Sequence, residues 1–151
     1  MSINETHLDC NDCNDKDHDC SKGPCQPSLP EYTWIGHCRV TKHRRANRHH
    51  GGVGILVKNE IYSMYHVSVI DRTYDGILGV LFTHKITDYQ FIIFTCYLPP
   101  QESPWGRDEN AFYSHLLGQI YLHNYVDCVN FSGDVNERVG KLDEILYDLI
   151  L

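Results

Sequence analysis

The sequence has no uninterrupted apolar run of about twenty residues, the length a helix needs to cross the hydrocarbon core of a bilayer. It also lacks the basic and then apolar start of a secretory signal. Residues 1–31 instead hold seven acids (Glu5, Asp9, Asp12, Asp15, Asp17, Asp19 and Glu31) against two bases (Lys16 and Lys22), a local charge of −5. An even number of cysteines is missing too: with seven, a complete set of internal disulfides is excluded. These absences set the expectation of an intracellular chain, in cytoplasm or nucleus, whose cysteines are thiols or metal ligands.

Excess positive charge is likewise absent, since 13 Lys and Arg face 20 Asp and Glu for a net −7. That excludes nucleic-acid binding by bulk charge but not by a local patch, and the charge is uneven. With −5 in the first 31 residues, only −2 is left for the other 120. Within those, Arg39, Lys42, Arg44, Arg45 and Arg48 crowd into ten positions beside His43, His49 and His50. Such a segment can hold phosphates by charge, more tightly as pH falls and the histidines protonate, and it also reads as a solvated polar loop.

What is present fits one domain: 151 residues with 42% apolar content bury enough surface for a core. The segment 9–31 is the exception. It is nearly devoid of apolar side chains, carries Pro24, Pro27 and Pro30, and cannot offset the entropy of ordering, so it reads as an acidic, Cys-rich insertion or loop. Cys10, Cys13, Cys20 and Cys25, with His18 among them, place four thiols in sixteen residues, enough for a tetrahedral zinc site although not in a standard finger spacing. An unstructured insertion without metal is the other reading.

From Tyr32 onward strands are expected. Tyr32 to Ile35 is a short one, and the run Gly51 to Val57, with glycines at its start, suits a buried strand approached closely by a neighbour. Met64 to Ile70 alternates, Ile77 to Phe82 is apolar throughout, and Phe91 to Tyr97 is rich in aromatic and β-branched residues until Pro99 and Pro100 stop it. Asp108 can cap a helix in which Phe112, Leu116 and Ile120 recur with Tyr113 and Leu117, ending near His123. A strand from Val126 to Phe131 then runs into Ser132, Gly133, Asp134, Val135 and Asn136, and an amphipathic run from Leu142 to Leu151 closes the chain. Strands joined by a crossover helix imply an α/β fold with one mixed sheet.

The Gly133–Asp134–Val135–Asn136 element lies where a strand enters a loop, the usual place for a ligand-contacting group in an α/β sheet. Two residues apart on extended backbone, the Asp134 carboxylate and the Asn136 amide face the same way. The same residue types also make turns.

The order Asn4-Glu5-Thr6-His7-Leu8, Trp34-Ile35-Gly36, Gly51-Gly52-Val53-Gly54-Ile55, Cys96-Tyr97-Leu98-Pro99-Pro100 and Gly133-Asp134-Val135-Asn136 resembles the endonuclease/exonuclease/phosphatase superfamily. It is most like the endonuclease domain of non-long-terminal-repeat retrotransposons. The resemblance implies a partial four-layered α/β sandwich and a Mg²⁺- or Mn²⁺-dependent phosphodiester hydrolase acting on DNA. Glu5 would bind the metal, Tyr97 hydrogen-bond the scissile phosphate, Asp134 align or deprotonate the attacking water, and Asn136 orient it. As structural residues the same four would be a solvated acid, a packed aromatic, a turn residue and a cap. Val135 departs from the bulkier apolar residue usual in that loop. An Asn-bearing strand before the Glu motif and a closing Asp/His element have no counterpart in the 151 residues, so the expected domain is incomplete, slow or inactive, and bare on one inner sheet face. That face would bind a second copy or the remaining half of the domain. A non-catalytic remnant that binds DNA or a protein partner is the alternative, and a phosphatase or a lipid or sugar phosphodiesterase of the same superfamily is a third.

Overall fold

The computed structural model describes residues 1–4, 29–37, 52–100 and 108–135, with the side chains of residues 3 and 4 excepted. The Cys-rich segment, Glu5, the basic cluster, Asn136 and the C-terminal amphipathic run lie outside the described residues.

Among the described residues, seven strands form two sheets. Strands β1 (Ser2–Asn4), β3 (Val53–Lys58) and β2 (Tyr32–His37) make an antiparallel sheet in the order β1-β3-β2. A short helix, α1 (Asn59–Met64), leads from it into β4 (Tyr65–Asp71) of the second sheet. There β4, β5 (Ile77–His84) and β6 (Gln90–Tyr97) are antiparallel. Helix α2 (Glu109–Leu122) then crosses over to β7 (Cys128–Asp134), which pairs parallel to β6, so the order is β4-β5-β6-β7. The fold is mixed α/β, and the crossover helix feeding a mixed sheet is as expected.

The expectation of one sheet with a bare inner face is corrected. Val53, Ile55 and Val57, alternate residues of β3, lie in one cluster with Leu78, Val80 and Phe82 of β5 and with Tyr97, so the three-stranded sheet covers the inner face of the four-stranded one. On the other face Ile77, Ile92, Phe94, Cys96 and Leu98 pack with Phe112 of α2. Strands β5 and β6 are therefore buried on both sides, which is why their sequences are apolar without alternation. At the β7 edge burial thins, and Phe131 is 53% exposed while its ring stacks on Phe94 at 5.7 Å.

Local chemistry explains the elements. Asp108 caps α2 by accepting from the backbone N–H groups of Asn110 and Ala111, and Phe112, Tyr113, Leu116 and Ile120 turn toward the core. Trp34 lies over Gly54, where a Cβ would come within 2.0 Å of its ring, so the glycine in this apolar strand answers a close neighbour. Strand β7 runs through Asp134 rather than stopping at Phe131, because Cys96 and Tyr97 continue the ladder opposite Gly133 and Asp134.

Candidate functional site

Tyr97 closes β6 and Asp134 closes β7, and the parallel register sets them opposite each other although 37 positions separate them in the chain. Opposed residues of neighbouring strands are about 4.8 Å apart along the hydrogen-bonding direction. The pairing continues one step further, with the Leu98 N–H donating to the Asp134 carbonyl at 3.0 Å. Phe94 stacks with Phe131 toward α2, so the alternate positions Thr95, Tyr97, Ser132 and Asp134 belong to the opposite face, toward the three-stranded sheet. Asp134 is exposed, whereas Tyr97 is 7% exposed and its ring belongs to the inter-sheet core.

Two glycines allow this corner to close. A Cβ on Gly133 would stand 1.9 Å from the Cys96 carbonyl oxygen, and one on Gly76 would stand 2.3 Å from that of Tyr97. Gly76 has φ +87°, and its carbonyl accepts the Tyr97 N–H at 2.8 Å. A side chain at either position would force β6 away from its neighbour beside the candidate residues.

The three-stranded sheet delivers its strand ends to the same edge. His37, the last residue of β2, donates from Nδ1 to the Ile77 carbonyl at 3.1 Å, since a carbonyl oxygen can only accept, and Ile77 pairs with Cys96. His37 and Asn4 both pair with Val53, so the ends of β1 and β2 and the start of β3 lie at the Tyr97–Asp134 end of the sandwich. Glu5 follows Asn4 and Asn136 follows Val135, each just outside the described residues. The basic segment with Arg39, Lys42, Arg44, Arg45 and Arg48 leaves from His37 and returns at Gly52, so both its roots are at this edge while the side chains lie outside the described residues. The four N-terminal cysteines also lie outside them, and among the described residues no three His, Cys, Asp or Glu side chains group as metal ligands.

No family model matches the chain, and no curated protein or solved structure is similar to it at a significant level. The geometry is therefore the ground for a functional reading.

Sequence reasoning missed three polar contacts. Ser2 Oγ donates to Thr95 Oγ1 at 3.3 Å, joining β1 to β6 across the two sheets. His37 forms the second inter-sheet bond. Behind the sheet, the buried Asp71 carboxylate accepts from the Thr73 N–H at 2.9 Å, from its hydroxyl at 2.8 Å and from His115 Nε2 at 2.7 Å, fastening α2 to the end of β4. Burial alone would raise the Asp71 pKa; the Thr73 backbone bond, with His115 and the Thr73 hydroxyl, brings it below the ordinary 3.8. The Cys96 thiol is pushed up to about 12 by burial and by the Asp71 charge, which marks it as a core residue rather than a nucleophile. Thr95 gave a faint signal as the one hydroxyl in an otherwise apolar and aromatic run, Phe91 to Cys96; the Asp71–His115 pair, 44 positions apart, gave none.

Proposed function

We propose that these residues form part of the centre of a metal-dependent DNA endonuclease of the endonuclease/exonuclease/phosphatase type, most like that of non-long-terminal-repeat retrotransposons. The observation that carries the proposal is the β6–β7 register, which sets the phenol-bearing and carboxylate-bearing strand ends side by side at one edge of the sandwich. That register is what the motif resemblance requires of two segments far apart in sequence. The two packed sheets with α2 outside would be three layers of the four-layered sandwich.

The chemistry is phosphodiester hydrolysis. Asp134, exposed at its strand end, would accept a hydrogen bond from the attacking water and draw its proton. Tyr97 would donate its hydroxyl to a non-bridging phosphate oxygen, and Asn136 would orient the water. Mg²⁺ takes one or two carboxylates and leaves its other positions to water and phosphate, and Glu5 would supply the carboxylate that holds it. When bound, the ion supplies Lewis-acid polarisation of the phosphoryl group. The basic segment rooted at the same edge would hold the flanking phosphates. No counterpart of the closing Asp/His element is present in these 151 residues, so slow cleavage by them is part of the proposal.

A substrate panel tests the class. With Mg²⁺, the purified chain is offered supercoiled plasmid, p-nitrophenyl phosphate, an inositol phosphate and a phospholipid. DNA turnover alone is the expected result. Turnover of a monoester or lipid without DNA cleavage overturns the endonuclease reading in favour of a phosphatase or phosphodiesterase, and metal-independent DNA binding without turnover overturns it in favour of a binding module.

A further inference from the structure

The two edges of the four-stranded sheet differ. Along β4 the register shifts between Val69 and Asp71, a bulge of the kind that turns an edge away from further pairing. Along β7 the register is unbroken from Cys128 to Asp134, and positions 128–133 hold no proline and no charged side chain. Among the described residues no strand pairs with the outer side of β7, and Phe131 at its middle is 53% exposed. The backbone of this edge is self-complementary. The Leu98 N–H donates to the Asp134 carbonyl, so Asp134 turns its backbone groups toward β6, and alternation along the strand turns those of Val129, Phe131 and Gly133 outward. A second β7 laid antiparallel about a two-fold axis at Phe131 sets Phe131 opposite Phe131 and Val129 opposite Gly133. Each of these pairs is of the type that exchanges two hydrogen bonds. Any other symmetric register with matching backbone groups leaves at least one of the three opposite a residue outside β7.

We infer that β7 is the edge through which two copies of this chain associate, pairing antiparallel about Phe131 and joining their four-stranded sheets into one. The side chains agree with this occupant. Phe131 stacks on Phe94 on the α2 side of the sheet, and the two-fold axis keeps both Phe131 rings on that side. Helix α2 packs against Ile92, Phe94 and Cys96 of β6, so the two helices lie about three strand spacings apart, about 14 Å. Helices in direct contact are about 8–10 Å apart, and the two Phe131 rings fall in the gap that remains. The large Val129 meets the side-chain-free Gly133 of the copy on each flank, a match that an arbitrary strand would not supply. The inference stands on the fold and is independent of the endonuclease reading. It also keeps the two candidate sites apart, since antiparallel pairing sets the two Asp134 residues at opposite ends of the seam, about 20 Å from each other.

The experiment follows wild type, Phe131→Lys and Ile86→Lys by sedimentation equilibrium between about 1 μM and 1 mM, with amide hydrogen exchange read residue by residue through fragmentation mass spectrometry. Each copy carries a net −7, so about 0.15 M salt is used, where charges more than about 8 Å apart are largely screened. Expected is a wild-type mass that rises from one chain toward two. Where about nine-tenths of the chain is paired, the amides of Val129, Phe131 and Gly133 should exchange about tenfold more slowly than in dilute solution, because only the unpaired tenth is open. The amides of Asn130, Ser132 and Asp134, bonded to β6, should be protected at both concentrations. Phe131→Lys sets like charges opposite each other and should stay monomeric, while Ile86→Lys, at a position 86% exposed between β5 and β6, should associate as wild type does. A wild-type chain that is monomeric throughout overturns the inference, whether the three outward amides exchange freely or are slowed at every concentration by another segment of the same chain. A dimer whose three outward amides exchange as in the monomer overturns it too, because the contact then lies elsewhere. Both of these outcomes are read on wild type and stand even if Phe131→Lys fails to fold.

Discussion

Gly133→Ala tests the packing logic of the site at its tightest point. The added Cβ would lie 1.9 Å from the Cys96 carbonyl oxygen, 2.8 Å from its carbon and 2.9 Å from its nitrogen, all backbone atoms that cannot swing aside as a flexible side chain would. A contact of that kind relaxes only beyond about 3.3 Å, so β6 and β7 must part by more than 1 Å or the end of β7 must peel away. Overpacking of this sort costs about 1–3 kcal/mol, and the lower part of that range applies if the peeling stops at Gly133 and Asp134, at the free end of an edge strand. Activity should suffer more than stability, because Asp134 is the next residue and a shift of about 1 Å costs on the order of 10²-fold. Gly118→Ala is the control: nothing lies within 4 Å of a Cβ there, and the site is in exposed helix, so it should stabilise by about 0.5–1 kcal/mol. Urea unfolding and plasmid nicking of both variants make the measurement. A Gly133→Ala protein with wild-type stability and rate would show that the Gly133–Cys96 contact does not set the end of β7.

Three further outcomes are expected. Phe112→Ala empties a fully buried ring position between α2 and the sheet and should cost about 3–5 kcal/mol in urea unfolding; a loss below 1 kcal/mol would mean that α2 does not pack there. The pKa of Asp71 is lower in the folded than in the unfolded chain, so its stabilisation is full above the unfolded value near 3.8 and is lost as pH falls through the lower folded value. Asp71→Asn should therefore be less stable than wild type at pH 7, with the gap closing under acid, and a gap that widens below pH 4 would contradict the sign. The Cys96 thiol, buried and pushed up to about 12, should resist maleimide at pH 8 until the chain unfolds, whereas Cys128 should label before Cys96; peptide mapping by mass spectrometry would show the reverse if the β6 assignment were wrong.

Local features of the fold were legible in the sequence. The apolar runs of β3, β5 and β6 and the Asp108-capped spacing of α2 announce themselves because burial and capping act over a few residues. Helix α1 did not, because its six residues bury nothing and have no side-chain cap, so they carry neither periodicity nor a start signal. The division into two sheets was also hidden. Which strands pair depends on contacts such as Ser2 with Ile55 and Tyr97 with Asp134, which no local window contains. The motif resemblance singled out Tyr97 and Asp134, yet their shared face and the hydroxyl pair behind them emerge only when β1, β6 and β7 are brought together.

Endonuclease activity is tested most directly by relaxation of supercoiled plasmid by the purified chain, with Mg²⁺ or with EDTA, beside Asp134→Ala. Slow nicking that requires Mg²⁺ and disappears in a folded Asp134→Ala protein is the expected result. Nicking that survives EDTA or the substitution, or a folded wild-type chain that leaves the plasmid intact, would contradict it.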